Sequence, residues 1–372
     1  MSTTTTEVAV IGAGIVGAAC ALACASRGLQ VTVVERGGLV AGTTGSGEGN
    51  LLISDKSPGP ELTLALRSNE LWRELGQELL DTTVELEFKG GLIVARSDAA
   101  LALLAATARE QSAAGVTTQL VGADELPKLE PEITRGLAGG VLYPQDMQVQ
   151  PARATVAMLA AARALGAVVR TRTEVLAIEP GRVITSRGAV SAGAIVNATG
   201  AWALPFAPGQ QIAPRRGFIL VTEAMPPLIR HKVYSADYLE NVASDDADLQ
   251  SSTVVEATPA GPVLIGATRE RVGFDTTPNP AALAALARGA TALFPFLAGV
   301  RIIRSYQGFR PFSADHLPVI GPDPVVPGLY HAHGHEGAGI GLAPATAELI
   351  AQMITGEPLT MDAAPFDPRR FS

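Results

Sequence analysis

The chain contains 372 residues, with 28 Lys and Arg, 36 Asp and Glu, a net charge of −8 and 47 % hydrophobic residues. This length suggests about two domains, and the apolar fraction excludes wholesale disorder. The acidic balance argues against a nucleic-acid partner or an anionic membrane surface, because both require a basic face. The two cysteines, Cys20 and Cys24, lie four residues apart on one predicted helix face. This spacing excludes a disulfide framework and predicts a reducing compartment, the cytoplasm.

The N-terminal region predicts a β-α-β unit. The strand, helix and second strand are expected over residues 7–11, 15–27 and 30–35. Residues 8–26 carry no charge and are nearly long enough to cross a membrane. Gly12 and Gly14 interrupt this stretch, and its character changes from β-branched to alanine-rich, so a buried strand, a turn and a helix are predicted instead of a membrane span. The polar residues 1–6 are expected to be poorly ordered.

Further along, helices and strands alternate at both ends of the chain, with antiparallel-looking strands between them. Helices are predicted over residues 61–80, 99–114, 151–165, 281–293 and 343–354. A strand pair is predicted in 88–95, single strands over 168–169, 173–178, 194–197 and 329–333, and strands of a separate sheet over 215–222, 253–256 and 262–266. Residues 139–148 are expected to be turn-rich. The alternation predicts a nucleotide-binding domain that is interrupted by a substrate domain.

A glycine-rich turn follows the first predicted strand. Gly12, Gly14 and Gly17 form a G-x-G-x-x-G pattern, and Glu35 ends the second strand eighteen residues after Gly17. The first glycine permits a tight turn, the second lets a pyrophosphate approach the backbone, and the third lets the helix pack on the strand. An acid at the position of Glu35 accepts hydrogen bonds from a ribose and disfavours the 2′-phosphate of NADP. A glycine turn without a nucleotide stays as the alternative.

A second polar loop, Gly42 to Asn50, comes almost directly after this acid. Its hydroxyls and backbone N–H groups could extend along a cofactor longer than NAD, towards a reactive ring. A flexible surface loop of the same composition is an equally good interpretation. His331, His333 and His335 alternate along a predicted strand, but a glycine turn follows and no carboxylate cluster or cysteine pair accompanies them, so no metal site is predicted.

Four landmarks in order resemble the FAD-dependent D-amino-acid oxidase superfamily, in particular its glycine oxidase and sarcosine oxidase branch. The landmarks are the glycine fingerprint with Glu35-Arg36, the loop 43–50, the run Asn197-Ala198-Thr199-Gly200-Ala201-Trp202, and the C-terminal segments 308–321 and 334–344. The chain is also similar to the FAD subunits of multi-subunit amino-acid, opine and hydroxyproline dehydrogenases and of hydrogen cyanide synthase. The resemblance implies an α/β fold (α+β overall), with a Rossmann-like FAD-binding domain and an antiparallel-sheet substrate domain. The FAD-binding domain is expected to comprise residues 1–80, 146–205 and 308–372, and the substrate domain residues 81–145 and 206–307.

The resemblance also implies how FAD is held, residue by residue. Ile15 and Val16 would lie against the pyrophosphate, and Glu35 and Arg36 would hold the adenosine end. The other implied cofactor residues are Thr43, Thr44, Glu48, Gly49, Asn50, Val175, Gly200, His335, Glu336, Gly337, Ala338, Gly339, Ile340 and Gly341. The N-terminus of the final helix would face the flavin O2 and stabilise the negative charge of the reduced ring. No His or Cys stands at the start of the chain where relatives attach the flavin covalently, so FAD is expected to be non-covalent.

Arg310 matches the arginine that binds the substrate carboxylate in this superfamily. Its planar, permanently charged fork suits a bidentate pair with a carboxylate, although a structural arginine at a strand end is the alternative. Glycine oxidase-like enzymes also carry a basic residue in the final flavin loop, where this chain has Gly337. Tyr234 and Tyr238 are tentative pocket residues, because aromatic residues in a substrate sheet more often belong to the core.

These patterns predict an FAD-dependent enzyme that oxidises the C–N bond of a small amino or imino acid by hydride transfer to flavin N5, giving an imine. The electrons would pass to O2 or to a partner subunit, in a homo- or hetero-oligomer. Two cysteines cannot hold a four-cysteine iron–sulfur cluster. A protein base is not required if the amine binds neutral. Two alternatives remain, an FAD-carrying assembly subunit without turnover of its own and, less favoured, an NAD-dependent dehydrogenase.

Overall fold

The computed structural model describes residues 3–78, 84–236 and 248–371. The strands are β1 (Thr3–Ile11), β2 (Val31–Val34), β3 (Asn50–Leu51), β4 (Gly91–Ala95), β5 (Gln119–Gly122), β6 (Gly139–Tyr143), β7 (Met147–Gln148), β8 (Val168–Arg170), β9 (Val175–Glu179), β10 (Arg182–Thr185), β11 (Gly188–Asn197), β12 (Ile212–Thr222), β13 (Lys232–Ser235), β14 (Gln250–Ala257), β15 (Val263–Arg269), β16 (Ile302–Ser313), β17 (Val319–Pro322) and β18 (Leu329–His333). The α-helices are α1 (Ile15–Ala25), α2 (Pro60–Glu78), α3 (Asp98–Ala113), α4 (Leu126–Leu129), α5 (Pro151–Ala164), α6 (Pro280–Leu293) and α7 (Gly339–Thr355).

The first sheet carries the nucleotide-binding pattern. Its strand order is β17-β18-β11-β1-β2-β8, with β10 and then β9 added beside β11. Neighbouring strands from β18 to β8 are parallel to each other. Strand β17 runs antiparallel to β18, and β10 runs antiparallel to β11. Helix α1 packs between α5 and α7 on this sheet. Small buried side chains such as Ala18 and Ala21 let these helices approach closely.

The second sheet has the order β16-β12-β15-β14-β13-β4-β6-β5, in which every pair is antiparallel except β13 with β4. Helix α6 covers one face of this sheet with buried Leu286 and Leu293. The predicted fold class, a parallel-stranded domain beside a largely antiparallel sheet, is confirmed. The domain boundaries expected from the sequence stay a prediction.

Several sequence-based boundaries were wrong for identifiable reasons. Strand β1 begins at Thr3, because the polar residues 3–6, which were expected to be poorly ordered, pair with Ala189–Ala192 of β11. The segment 88–95 contains the single strand β4, over Gly91–Ala95, instead of a strand pair, and the turn-rich segment 139–148 contains β6 and β7. Within the described part of the chain, no helix is both long and apolar enough to cross a bilayer.

The final helix also begins four residues before its predicted start, and α2 makes this possible. Pro344, inside α7, has no N–H for the carbonyl of Ile340. Trp72 of α2 donates its indole Nε1–H to that carbonyl at 3.2 Å and to the carbonyl of Gly341 at 3.1 Å. Ser68 donates to the carbonyl of Gly341 and accepts from the N–H of Ala345 at 3.3 Å. The glycines around residue 340 therefore belong to the first turn of α7.

Candidate active site

One cavity of about 800 Å³ lies at the carboxyl ends of β1, β2, β11 and β18. The N-terminal glycine turn lines it through Gly12 and Gly14, and the C-terminal turn through Gly337 and Gly339. The volume falls within the range of roughly 300–1,000 Å³ that cofactor and ligand sites have. The carboxyl ends of parallel strands are where open α/β sheets bind their ligands. Two turns that are more than 300 residues apart in sequence thus enclose one site.

The N-terminal turn has the tight contacts that its glycines predict. Gly12 has a φ of +105°, and a Cβ there would lie 2.5 Å from the carbonyl O of Ala198. Gly17 packs directly on the carbonyl of Gly12. At the start of α1, the N–H of Ile15 donates to Thr44 Oγ1 at 3.1 Å, so the polar loop lies over the helix N-terminus. This end of α1 has the positive dipole that a phosphate group requires.

Glu35 is held in place by the backbone on both sides. Its Oε2 accepts from the N–H of Ala13 at 2.9 Å, and its Oε1 accepts from the N–H of Gly37 at 2.7 Å. Next to it, the Arg36 guanidinium lies 4.5 Å above the ring of Trp202, which stacks on Phe274 with 5.1 Å between the ring centroids. Glu35 therefore faces the glycine turn, and Trp202, stacked on Phe274, lines the cavity next to Arg36.

The C-terminal turn brings two fixed side chains into the cavity. His335 Nε2 lies 2.9 Å from Thr346 Oγ1, and burial lowers the pKa of His335 to about 3, so its imidazole is neutral. Burial alone would raise the pKa of Glu336, but His316 and the cations Arg269 and Arg215 lower it to about 2. Arg215 Nη1 donates to Glu336 at 2.7 Å. Glu336 is thus ionised throughout the physiological range.

Arg310 lies across the second sheet on the wall of the same cavity. Its Nη1 donates to the carbonyl O of Thr268 at 2.9 Å. The guanidinium covers Gly217 of β12, where any side chain would collide with it. A Cβ at Gly337 would stand 3.5 Å from Arg310 Nε, so the glycine of the final loop lies beside this arginine. Arg310 therefore lies between the second sheet and the C-terminal glycine turn.

A buried ion pair supports the polar loop from the second sheet. Lys232 of β13 donates to Glu256 of β14 at 2.5 Å and also contacts Asn50 Oδ1. Glu256 in turn accepts from the N–H of Gly49, with N···O distances of 3.3 and 3.4 Å. This pair is not predicted from the sequence, because no local pattern links Lys232 to Glu256, and their strands carry other polar residues as well.

Most of the predicted cofactor residues line the cavity. They are Gly12, Gly14, Ile15, Val16, Glu35, Arg36, Thr43, Thr44, Glu48, Asn50, Val175, Gly200, His335, Glu336, Gly337, Gly339 and Ile340. The predicted residues Gly17, Gly49, Ala338 and Gly341 lie behind this surface and are absent from its lining. Their contacts are with the protein, as the Gly49 N–H and the Gly341 carbonyl show.

The tentative tyrosines have a different outcome. Tyr234 is fully buried, its hydroxyl contacts Ser54 Oγ and donates to Asp146 Oδ2 at 2.9 Å, and it is not part of the cavity lining. The described structure therefore places Tyr234 outside this cavity, with its hydroxyl hydrogen-bonded to the buried carboxylate of Asp146. Tyr238 lies outside the described residues. Among the residues that are described, no group of three His, Cys, Asp or Glu has the arrangement of a metal site.

A glycine turn at a helix N-terminus, an acid after the second strand and an opposing C-terminal turn define the class of dinucleotide-binding oxidoreductases. The cavity fits a long cofactor, because it continues from Glu35 past Thr44 to Arg310 and His335. The His333 imidazole also lines it, and among the described residues its buried Nδ1 has no hydrogen-bond partner. This nitrogen can form a hydrogen bond with a bound cofactor.

Comparison with known proteins names the family. The profile of the DAO family, described as FAD dependent oxidoreductase, matches residues 7–353. The chain therefore belongs to this family, and the predicted enzyme class, an FAD-dependent oxidoreductase, and the FAD cofactor are confirmed, so the NAD alternative is set aside.

Several relatives are similar over nearly their whole length. The chain is 31 % identical to a glycine oxidase of Pseudomonas aeruginosa, covering 97 % of this chain and 98 % of the relative. It is 29 % identical to the hydrogen cyanide synthase subunit HcnC of the same organism, covering 99 % and 96 %. The crystal structure of glycine oxidase from Geobacillus kaustophilus superposes with a TM-score of 0.89 at 28 % identity, covering 98 % of each chain. L-proline dehydrogenase from P. horikoshii gives a TM-score of 0.89 at 26 % identity, covering 100 % of this chain and 98 % of the other.

Proposed function

We propose that the protein oxidises the C–N bond of a small amino or imino acid to an imine, with Arg310 binding the substrate carboxylate. The observation that carries this proposal is the place of the Arg310 guanidinium, which lines the cofactor cavity beside the final loop. Bound FAD supplies the chemistry of accepting a hydride from the substrate α-carbon. A carboxylate on Arg310 would fix the α-carbon in one orientation, which is how positioning residues lower a barrier.

The remaining residues of the site support binding and orientation of an anion. The Arg310 guanidinium packs on Gly217, and Gly337 lies beside its Nε, so neither position puts a side chain between the guanidinium and the cavity. The basic residue that glycine oxidase-like enzymes carry in the final loop is absent at Gly337, and Arg269 lines the cavity from the neighbouring strand. The relatives named glycine oxidase and L-proline dehydrogenase are consistent with a small amino or imino acid as the substrate.

The electron acceptor is proposed as O2 or a partner subunit. Similarity to HcnC, named as a subunit, supports the second case and also keeps the alternative of an FAD-carrying assembly subunit. Anaerobic addition of amino acids distinguishes them, because an active enzyme bleaches its flavin absorbance and an assembly subunit does not. Re-oxidation by air then separates an oxidase from a dehydrogenase. Flavin released by acid precipitation would establish the proposed non-covalent attachment.

The cellular location is proposed as the cytoplasm. Cys20 and Cys24 are free thiols buried in α1, and burial raises the pKa of both, so they are unreactive packing residues. A chain without disulfides suits a reducing compartment.

Arg310 provides the direct test of substrate binding. Arg310→Ala removes a charged, bidentate contact, and we expect KM for a carboxylate substrate to rise about 100-fold with flavin content unchanged. Arg310→Lys should recover part of the loss. Arg301→Ala, an exposed arginine paired with Glu223, is the matched control. An unchanged KM in Arg310→Ala would remove this residue from the substrate site and reject the proposed binding mode.

A further inference from the structure

Glu48 is a buried carboxylate on the cavity wall, with 5 % of its surface exposed. Its Oε2 accepts a hydrogen bond from Asn50 Nδ2 at 3.4 Å, whereas its Oε1 has no hydrogen-bond partner among the residues that the structure describes. The carboxylate lies against Gly266 of β15, where any side chain would collide with it. Because a buried carboxylate oxygen without a donor costs free energy, Oε1 is in place for a donor that comes from outside the chain.

Arg310 reaches the same strand two residues further along. Its guanidinium contacts Thr268 and the Glu48 carboxylate contacts Gly266, so the two contact points on β15 are roughly 6–7 Å apart. An α-amino acid carries its ammonium and its carboxylate on the same carbon atom. Such a zwitterion matches in charge an anionic and a cationic group that line one cavity and contact neighbouring positions of the same strand, and each pair can form an ion-pair hydrogen bond of about 2.8 Å.

Asn50 and Lys232 fix the orientation of the Glu48 side chain. Lys232 binds the Oδ1 of Asn50, so the amide of Asn50 presents its Nδ2 to Glu48 Oε2. Glu256 neutralises Lys232 in the same layer. These residues position Glu48 at the cavity wall, with Oε2 hydrogen-bonded to Asn50 and Oε1 against Gly266, without a hydrogen-bond partner among the described residues.

The groups around Glu48 set its protonation. Burial raises the pKa of Glu48 to about 7, Glu256 adds to the rise, and the nearby cations oppose it. Burial and Glu48 itself raise the pKa of Tyr306, which therefore keeps its hydroxyl proton. The titratable and charged groups that face Glu48 are Lys232, Glu256, Arg269, Tyr306 and Arg310. Glu48 is thus partly ionised near neutral pH and able to exchange a proton with a ligand.

We propose that Glu48 binds the substrate ammonium group and accepts its proton. This inference rests on the proposed function, in which Arg310 binds the carboxylate. One proton moves from the ammonium nitrogen to Glu48 Oε1, so an N–H bond breaks, an O–H bond forms and the nitrogen keeps a lone pair. The α-hydrogen can leave with its electron pair only when this lone pair can form the C=N bond. The chain then supplies a base, which is needed because the amine binds as an ammonium ion.

Two ligands of nearly the same shape test this role without turnover. 2-Aminoisobutyrate has no α-hydrogen to lose, and pivalate replaces its ammonium group by a methyl group. Both are titrated into the flavin-loaded enzyme, and the dissociation constants are read from the change of the flavin spectrum. In Glu48→Gln we expect 2-aminoisobutyrate to bind about 10- to 100-fold more weakly, because a charged hydrogen bond is lost. The affinity for pivalate should stay the same or improve.

A pH series gives a second readout. In the wild-type enzyme the preference for 2-aminoisobutyrate over pivalate should fall about eightfold from pH 7.5 to pH 6, because Glu48 becomes protonated as the pH falls below its pKa of about 7. In Glu48→Gln this preference should be independent of pH. Glu61→Gln is the matched control, since burial also raises the pKa of Glu61 to about 7, yet Glu61 does not line the cavity.

Each outcome separates the two proposals. If Glu48→Gln changes the two affinities equally, or changes neither, the role of Glu48 is refuted and the proposed function stands. A lower flavin content with an unchanged ligand preference would make Glu48 a cofactor ligand and would also refute its role as base. If the wild-type enzyme binds neither ligand, the small amino-acid substrate of the proposed function is itself wrong.

Discussion

The contact between Trp72 and the final helix predicts a specific weakness of the cofactor site. Trp72 is fully buried and donates to the carbonyl of Ile340, for which Pro344 offers no N–H. Trp72→Phe leaves this carbonyl unsatisfied, which costs about 1–3 kcal/mol. The smaller ring adds about 1–2 kcal/mol for lost packing. We therefore expect a destabilisation of about 3 kcal/mol, which lowers the thermal midpoint by several degrees.

The location of the damage makes the prediction selective. Ile340 lines the cofactor cavity, so Trp72→Phe should also speed the release of flavin, measured as the recovery of flavin fluorescence after dilution. Leu62→Ala is the matched control, because it removes buried apolar volume from the same helix, α2, without touching a carbonyl of α7. It should lower the thermal midpoint but leave flavin release close to wild type. Equal flavin release in both variants, or a wild-type midpoint in Trp72→Phe, would refute this reasoning.

Two further substitutions test the substrate wall and the adenosine end. Gly217→Ala places a methyl group in the space of the Arg310 guanidinium. We expect kcat/KM for a carboxylate substrate to fall about 10- to 100-fold at normal flavin content. Gly299→Ala is the control and should have no effect, because Gly299 lies in open space. Kinetics equal to wild type in the first variant would show that Arg310 tolerates displacement. Glu35→Gln keeps only one of the two side-chain oxygens that accept from the backbone N–H groups of Ala13 and Gly37, so flavin affinity measured by fluorescence titration should fall about tenfold. The exposed control Glu132→Gln should leave it unchanged. A tighter complex in Glu35→Gln would contradict the assigned role.

The sequence was sufficient wherever a local rule determines the backbone. The turn at Gly12 and Gly17 was predictable, because only glycine tolerates the positive φ of the first and the close contact of the second. The C-terminal turn was predictable from its resemblance to a known family. The N-terminal and C-terminal glycine turns line one cavity, as they must if both bind the same cofactor.

The rest depends on contacts between distant parts of the chain. The amide of Asn50 meets Lys232 across 182 residues, and the carbonyl of Ile340 meets Trp72 across 268. No period or composition signals such pairs, since each partner occupies an ordinary position in its own strand or helix. The same reason explains why the sequence does not reveal that Tyr234 lies outside the cavity. Its hydroxyl binds Asp146, which lies in a loop 88 residues away in sequence.

Trp202, which stacks on Phe274 beneath the Arg36 guanidinium, gives the protein an intrinsic fluorescent probe. The chain has two tryptophans, and Trp202 is the one that borders the cavity. Indole emission overlaps the absorption of oxidised flavin, so excitation energy will transfer from this side chain to the isoalloxazine. In Trp72→Phe, Trp202 is the sole tryptophan, and the quenching of its fluorescence reports coenzyme binding in real time without an attached dye.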